Sequence, residues 1–362
     1  MNSRITEAAQ KPLASEAMDE SGEDLLRGFS RDQLVGILGN MLLYRRFEEK
    51  AEEAYAIGKI GGFCHLHIGQ EGAAEGCIRP LREDDYVITA YRDHTQALAK
   101  GLSPGRVLAE LYGRSPGVSG GKGGSMHLFG AQHAFMGGHG IVGGQVPLAT
   151  GMGWAVKYRG EDKIVVCFMG DAAVNQGALH ESLNMAAIWH LPVIYAVENN
   201  GYGMGTAFRR ISATEISDRS AAYGIPASVV NGQDVLATYR HMEGLVGEVR
   251  EGGGPRFVEV RTYRFRGHSM SDPVSGTYRS REEVTERTEH DDPVKHLRDR
   301  LFQAGLLSQE QLEELDREVR KVVEEAAEFA DKAPAPEPAD LYGHVYARIN
   351  ENGRLFLDGR ER

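Results

Sequence analysis

Cysteine is scarce in this chain: Cys64, Cys77 and Cys167 are the 3 among 362 residues, and no Cys-x-x-Cys pair occurs. A disulfide framework is excluded, and buried structural thiols in a reducing compartment are expected. No apolar run reaches the roughly 18 residues of a membrane helix, so nothing is expected to span a bilayer. Positive charge is in deficit, 41 Lys and Arg against 52 Asp and Glu for a net −11. That balance argues against binding nucleic acid or an anionic membrane. Residues 1–28 carry Glu7, Glu16, Asp19, Glu20, Glu23 and Asp24 and lack the apolar stretch of a signal peptide. They read as a disordered acidic leader on a cytoplasmic protein.

What the chain has in excess is glycine, 45 residues in all with a cluster between Gly113 and Gly205, where backbone is brought close to something. A hydrophobic share of 41% with 26% charged residues belongs to an ordinary globular protein. Ser30 and Gln33 form a capping box ahead of Leu34, Ile37, Leu38, Met41, Leu42 and Phe47 at helical spacing. A long outer or interface helix to about Gly58 is expected. Short β-branched or aromatic runs occur at 86–91, 164–169, 193–197, 228–230 and 257–263, with helical stretches between several of them. The pattern predicts an α/β fold, a doubly wound and mostly parallel sheet with helical flanks at both ends. A second capping box, Ser308 with Gln311, opens a charged helix read as a solvated face. The α/β domain is thus assigned to 29–333, and 334–362 to a stiff Pro-rich linker and a terminal element with Tyr342, Val345, Tyr346 and Ile349 facing inward.

Two glycine patterns point to the wrong cofactor. Gly121-Lys122 resembles the end of a phosphate-binding P-loop, but Pro116 stands where the first glycine belongs and Gly123 replaces the magnesium-binding Ser or Thr. Gly138-His139-Gly140-Ile141-Val142-Gly143 satisfies G-x-G-x-x-G, yet 131–136 makes a poor strand and Pro147 interrupts the next segment, which counts against an NAD-binding dehydrogenase. Cys64-His65-Leu66-His67 lacks the ligand spacing and second cluster of a zinc site.

The segment 164–205 reads as strand, turn, helix, strand and loop. Gly170 permits the turn, Asp171 sits beyond the carboxyl end of the first strand, and a helix is expected from about Asn175, a setting suited to phosphate. Glu198-Asn199-Asn200 ends the second strand, and Gly201-Tyr202-Gly203 lets a main-chain carbonyl turn inward. One carboxylate, one amide and one carbonyl, with two diphosphate oxygens and a water, make a six-oxygen shell for magnesium.

This arrangement resembles the thiamine-diphosphate motif of the thiamine-dependent enzymes, with Ala172 where their pattern usually has glycine. Six further motifs in order resemble the alpha chains of the 2-oxoacid dehydrogenase first components. They are Gly62-Phe63-Cys64-His65-Leu66, Gly69-Gln70-Glu71, Thr89-Ala90-Tyr91-Arg92, the glycine-rich stretch 120–127, 140–148, and Gly267-His268-Ser269-Met270-Ser271-Asp272-Pro273. The first and last favour pyruvate over acetoin or branched-chain oxoacids as substrate.

The resemblance implies thiamine diphosphate and magnesium as cofactors, with Asp171, Asn200 and the Tyr202 carbonyl on the metal. It implies Arg92, Gly170 and the backbone of Ala172 and Ala173 at the diphosphate, and Tyr91, Gly140 and Val142 at the aminopyrimidine. Met204 or Val142 would bend the cofactor, Phe63 would line the pyruvate pocket, and His268 would contact the cofactor and assist acetyl transfer, with His127 a second catalytic candidate. Ser269 matches a serine phosphorylated in mitochondrial relatives. The glutamate that contacts the pyrimidine ring nitrogen belongs to a second α/β domain, for which this length has no room. The resemblance therefore implies a beta subunit in an α2β2 assembly, and the lipoyl domain of a dihydrolipoamide acetyltransferase as acceptor. A scaffold that kept the fold and lost the site is the non-enzymatic rival. Loop 264–282, polar and holding Gly267, Pro273 and Gly276, is expected to be mobile and to close over bound cofactor.

Overall fold

A computed structural model describes residues 24–342; the segment 1–23 and residues 343–362, with Val345, Tyr346 and Ile349, lie outside the described residues. Helices run α1 (Arg31–Ala56), α2 (Glu71–Ile78), α3 (His94–Ala99), α4 (Pro104–Leu111), α5 (Gln145–Arg159), α6 (Gly177–Ile188), α7 (Val235–Glu248), α8 (Arg281–His290), α9 (Pro293–Gln303) and α10 (Gln309–Lys332). Strands are β1 (Tyr86–Ala90), β2 (Phe135–His139), β3 (Val165–Gly170), β4 (Val193–Asn199), β5 (Tyr202–Gly203), β6 (Thr206–Ala207), β7 (Ala227–Asn231) and β8 (Arg256–Arg261).

Six strands form one sheet in the order β2-β1-β3-β4-β8-β7, every pair parallel, while β5 and β6 make a separate antiparallel hairpin. The expected doubly wound sheet is present, and alternate strand residues divide between two cores. Val166, Phe168, Ile194, Ala196, Val258 and Val260 meet α1, α2, α4 and α7 on one face. Val165, Cys167, Met169, Val193, Tyr195 and Val197 meet α5 and α6 on the other. Both faces are covered, which is why these strands read as continuous apolar runs.

Several expectations are corrected. Residues 135–139 do form a strand, β2, at the sheet edge, and α5 follows it with Pro147 harmlessly in its first turn. Phe-Met-Gly-Gly-His reads poorly because packing demands both glycines. A Cβ on Gly137 would lie 2.2 Å from the Phe129 ring, and one on Gly138 would lie 2.0 Å from the Asp93 carboxylate. After Asp171 the chain makes a 3-10 turn (Asp171–Asn175), and α6 begins only at Gly177. Gly170 takes an ordinary extended φ of −80°, so the turn makes no use of its freedom.

Nor is α1 an outer helix. Its capping box is present, but Leu34, Ile37, Leu38 and Met41 are buried with Leu236 of α7, Leu297 and Leu301 of α9 and Val319 of α10, while Tyr44, Phe47 and Ala51 enter the core beside the sheet. The apolar stripe fixed one face; charged partners cover another. Arg46 pairs with Asp316 at 2.8 Å and Lys50 with Glu324 at 2.7 Å, and just past the helix end Lys59 pairs with Asp331 at 2.7 Å. All three acids belong to α10, which is therefore amphipathic rather than a solvated face: Val319, Val323, Ala326, Ala327 and Ala330 are buried. Part of the expected leader is ordered too, since Leu25 is buried and Arg240 donates to the Leu25 carbonyl at 3.2 Å and to that of Arg27. The linker does not stand free either: the Pro334 carbonyl accepts from Ser115 N–H at 2.9 Å, and that of Asp340 from Lys122 at 2.6 Å.

Candidate functional site

A parallel sheet delivers all its carboxyl ends to one edge, and registers such as Ala90 with His139, Gly170 with Glu198 and Asn199 with Arg261 align those ends here. Just past them come Tyr91 and Arg92 after β1, Gly140 and Val142 after β2, Asp171 after β3, Asn200 after β4, and the loop to His268 after β8. From β1 the chain steps to one side of the sheet and from β3 to the other, so a crevice opens between the two ends, as in other open α/β folds.

Asp171 is buried, and its Oδ2 has no hydrogen-bond partner among the described residues. Burial pushes its carboxyl up to about 6, against nearby N–H groups of Asp171 and Ala172 and the charge of Arg264. A buried carboxylate with one orphaned oxygen is what a cation would complete. Of the two asparagines, Asn199 is spent on structure, donating to Glu259 at 2.9 Å and accepting from Gly201 N–H at 3.0 Å. Asn200 turns the other way and accepts from Tyr202 N–H at 3.3 Å. A Cβ on Gly170 would meet nothing within 4 Å, leaving open space beside Asp171. One on Gly203 would lie 2.5 Å from the Ala172 Cβ, so the methyl that departs from the usual glycine fills room that Gly203 vacates.

Arg92 is buried and donates through Nη1 to the Leu66 carbonyl at 2.6 Å and through Nη2 to the His268 carbonyl at 2.8 Å. Two of five N–H donors are so committed, which fixes the guanidinium plane and leaves donors for an anion. Arg264, passed over by the sequence reading, is a second buried arginine, pushed down to about 10 by burial and then by the charge of Arg92. Burial likewise lowers Arg92. Two desolvated like charges are costly apart from an anion, which suits the crevice to a diphosphate.

His268 belongs to an aromatic cluster: its ring centroid lies 5.1 Å from that of His65 and 5.8 Å from that of Tyr91, and the latter two are 4.5 Å apart. Its Nδ1 is buried without a partner among the described residues. Burial, then Arg92 and Arg264, hold the His268 imidazole down to about 4; burial and Arg92 hold His65 down to about 2. Both rings are therefore neutral at physiological pH. His65 is the second residue that sequence reasoning missed as a site group, although it lies within the 62–66 motif. Phe63 leans on it at 6.1 Å with 61% of its surface exposed.

His127 lies beside Gly140, at the carboxyl end of β2. Its Nδ1 is 3.0 Å from the Gly138 carbonyl and its ring backs Gly140, so it supports the 138–140 segment and is not one of the rings around His268. That ring gives Gly140, as Asp93 gives Gly138, a reason to be glycine without any nucleotide. Met204 is 62% exposed at the tip of the β5–β6 hairpin with φ +55°, and Val142 is exposed as well. Ala173 is buried beside Val174. The glycine-rich stretch 119–124 is also accounted for: the buried Glu110 carboxylate accepts from the N–H groups of Ser119, Gly121, Gly123 and Gly124 at 2.8, 2.8, 2.7 and 3.2 Å.

The loop after β8 is heavily cross-linked. Arg279 donates to the carbonyls of Arg264, Arg266 and Val274 at 2.6, 2.6 and 2.9 Å and lies over the Tyr202, Tyr263 and Tyr278 rings. Tyr278 joins Arg264 to Asp272, whose carboxylate accepts from His268 N–H at 2.7 Å. Among the described residues no three His, Cys, Asp or Glu side chains cluster as metal ligands, and no helix is long and apolar enough to cross a membrane.

Residues 39–339 match the dehydrogenase E1 component family. The chain is 47% identical over 339 residues, 93% of its length and 97% of the relative's, to the pyruvate dehydrogenase E1 component subunit alpha of Rhizobium meliloti. It is 49% identical over 317 residues to the protein of that name from Zymomonas mobilis, 87% of this chain and 89% of that one. The mitochondrial counterpart of Sminthopsis macroura is 43% identical over 329 residues, 91% and 90% of the two lengths.

Proposed function

This chain belongs to the dehydrogenase E1 component family, and we propose from that premise how its residues share the work of a pyruvate dehydrogenase of which it is the alpha subunit. The reaction is the thiamine-diphosphate-dependent oxidative decarboxylation of pyruvate, with the acetyl group passed to a lipoyl group. Asp171, Asn200 Oδ1 and the Tyr202 carbonyl hold magnesium, and Arg92, helped by Arg264 and the backbone of Gly170, Ala172 and Ala173, holds the diphosphate. The orphaned oxygen of the buried Asp171 carboxyl, within reach of the Arg264 charge, carries this reading. Tyr91, Gly140 and Val142 line the aminopyrimidine end, with Val142 or Met204 beneath the bend and His127 behind Gly140.

Thiamine diphosphate, when bound, supplies the carbanion that attacks the pyruvate carbonyl and the sink for the electrons left by carbon dioxide. The chain's own part is positioning and proton control. His268 and His65, kept neutral by burial and then by the arginines, accept or donate hydrogen bonds at the reacting end without adding charge. Phe63 excludes water from the pyruvate side. The pyrimidine carboxylate is supplied by a beta subunit, so the site lies between chains of an α2β2 assembly, and the acceptor is the lipoyl domain of a dihydrolipoamide acetyltransferase. Cytoplasmic residence and the division into a 29–333 domain with a short terminal element complete the reading.

The test is pyruvate-dependent reduction of a dye acceptor by the alpha and beta chains together, with magnesium and thiamine diphosphate. Activity should need both chains and fall at least about 100-fold in Asp171→Ala, the scale for removing a group that positions the reacting centre. Full turnover by that variant, or by the alpha chain alone, refutes the assignment.

A further inference from the structure

Gly69-Gln70-Glu71 contributes to the resemblance, yet none of the three is among the metal, diphosphate or pyrimidine contacts. The backbone here is held on every side. Gly69 takes φ +97°, and a Cβ on it would lie 2.5 Å from the Tyr263 carbonyl oxygen, so the turn is pressed against the segment that leads to His268. Gln70 N–H donates to the His67 carbonyl at 3.0 Å. Next to it, the buried Glu71 carboxylate grips Arg45 through two bonds of 2.6 and 3.0 Å, and Arg45 also binds Asp292 at 3.1 and 3.2 Å.

The Gln70 side chain is buried, 1% exposed, and reaches the metal-binding asparagine: Asn200 Nδ2 donates to Gln70 Oε1 at 3.0 Å. The direction of both amides follows from one bond. Tyr202 N–H can only donate, so the Asn200 oxygen faces it and the Asn200 nitrogen faces Gln70. Gln70 must therefore present its oxygen to Asn200. Its own Nε2 is left buried with no partner among the described residues. Orphaned buried donors call for a ligand or a bound water, because their desolvation is otherwise uncompensated.

Resting on the magnesium site argued above, we propose that Gln70 is a positioning residue for it. Its oxygen locks the Asn200 amide with Oδ1 turned to the metal, and its orphaned Nε2 donates to an oxygen of the diphosphate. A hydrogen bond to a ligating group fixes that group's orientation, and removing such a partner typically weakens metal binding about 10- to 100-fold.

The experiment titrates thiamine diphosphate into the assembled alpha–beta complex at fixed magnesium by calorimetry, and counts bound Mn2+ by electron paramagnetic resonance. Gln70→Met, matched in volume and unable to hydrogen-bond, should weaken cofactor binding about 10- to 100-fold. In the double variant Gln70→Met with Asn200→Ala the combined loss should fall short of the sum of the two single losses, because the lock on Asn200 is already gone and only the bond to the diphosphate is left to lose. Gln70→Glu keeps the acceptor for Asn200 but loses the donor, so it should retain Mn2+ while losing cofactor affinity. Unchanged binding by Gln70→Met, or additive losses in the double variant, overturns the lock on Asn200. Cofactor binding by Gln70→Glu equal to wild type overturns the bond to the diphosphate. If Asn200→Ala itself binds normally, the magnesium assignment has failed and this proposal with it; if only Gln70→Met does, the metal site stands and Gln70 has no part in it. Heat-unfolding midpoints of the cofactor-free complexes separate these results from a folding defect, and the near-isosteric Gln70→Glu carries the test should Gln70→Met not assemble.

Discussion

Gly203→Ala is a sharp test of how the metal-binding loop is held. Gly203 has no positive φ, so alanine brings no backbone strain and the effect must come from contact. The new Cβ would lie 2.5 Å from the Cβ of Ala172. Restoring ordinary carbon–carbon contact of about 3.5 Å means parting the two segments by roughly 1 Å. Such overpacking costs about 1–3 kcal/mol, and it falls between Asp171 and the Tyr202 carbonyl, one residue to either side of the clash. Metal–ligand distances tolerate about 0.2 Å, so a displaced ligand should cost about 10- to 100-fold in cofactor affinity. Ala172→Gly removes the opposing methyl and should restore most of it. Calorimetric titration of the alpha–beta complex with thiamine diphosphate at fixed magnesium reads the result for both single variants and the double. Wild-type affinity in Gly203→Ala, or no rescue by Ala172→Gly, would refute the idea that these segments share one packed volume.

Two further outcomes follow from the charges. His65 and His268 are held to about 2 and about 4, below the roughly 6.5 of an unfolded histidine. Between pH 6.5 and about 4 the unfolded chain then binds more protons, so their contribution favours the fold above that window and is lost as pH falls through it. The cofactor-free complex should show a shallower fall in melting temperature across that window in the double variant His65→Gln, His268→Gln; equal slopes would sink the argument. Glu110→Gln turns one acceptor of the glycine-rich loop into a donor facing N–H groups, at about 1–3 kcal/mol for each unmet bond. Trypsin should then cut faster at Lys122, and an unchanged cleavage rate would count against it.

The strand-end positions of Asp171 and Asn200 were legible in the sequence. Asp171 and Asn200 follow runs so apolar that only a doubly covered strand explains them, and a parallel arrangement puts the residues after such strands at one edge. Helix starts were equally plain, since a capping box is local chemistry. β2 was not legible because its glycines answer to Phe129 and Asp93, contacts that no local pattern announces. The burial of α1 escaped for a related reason, as an apolar stripe reveals one packed face and says nothing of ion pairs across another. His65, Gln70 and Arg264 were overlooked as site residues because each gains its meaning from a partner far along the chain: Tyr91, Asn200 and Arg92.

The glycine-rich loop around Glu110 carries its own anion. Loops of this kind ordinarily bind a diffusing one, so their order rises and falls with its concentration. Here the carboxylate is tethered to α4 by its own side chain, at an effective concentration no metabolite level can dilute. The stretch 119–124 thus keeps its shape without a ligand, and Asp340, whose carbonyl accepts from Lys122, docks on it. Arg279, by contrast, ties the loop after β8 together through neutral carbonyls and tyrosine rings.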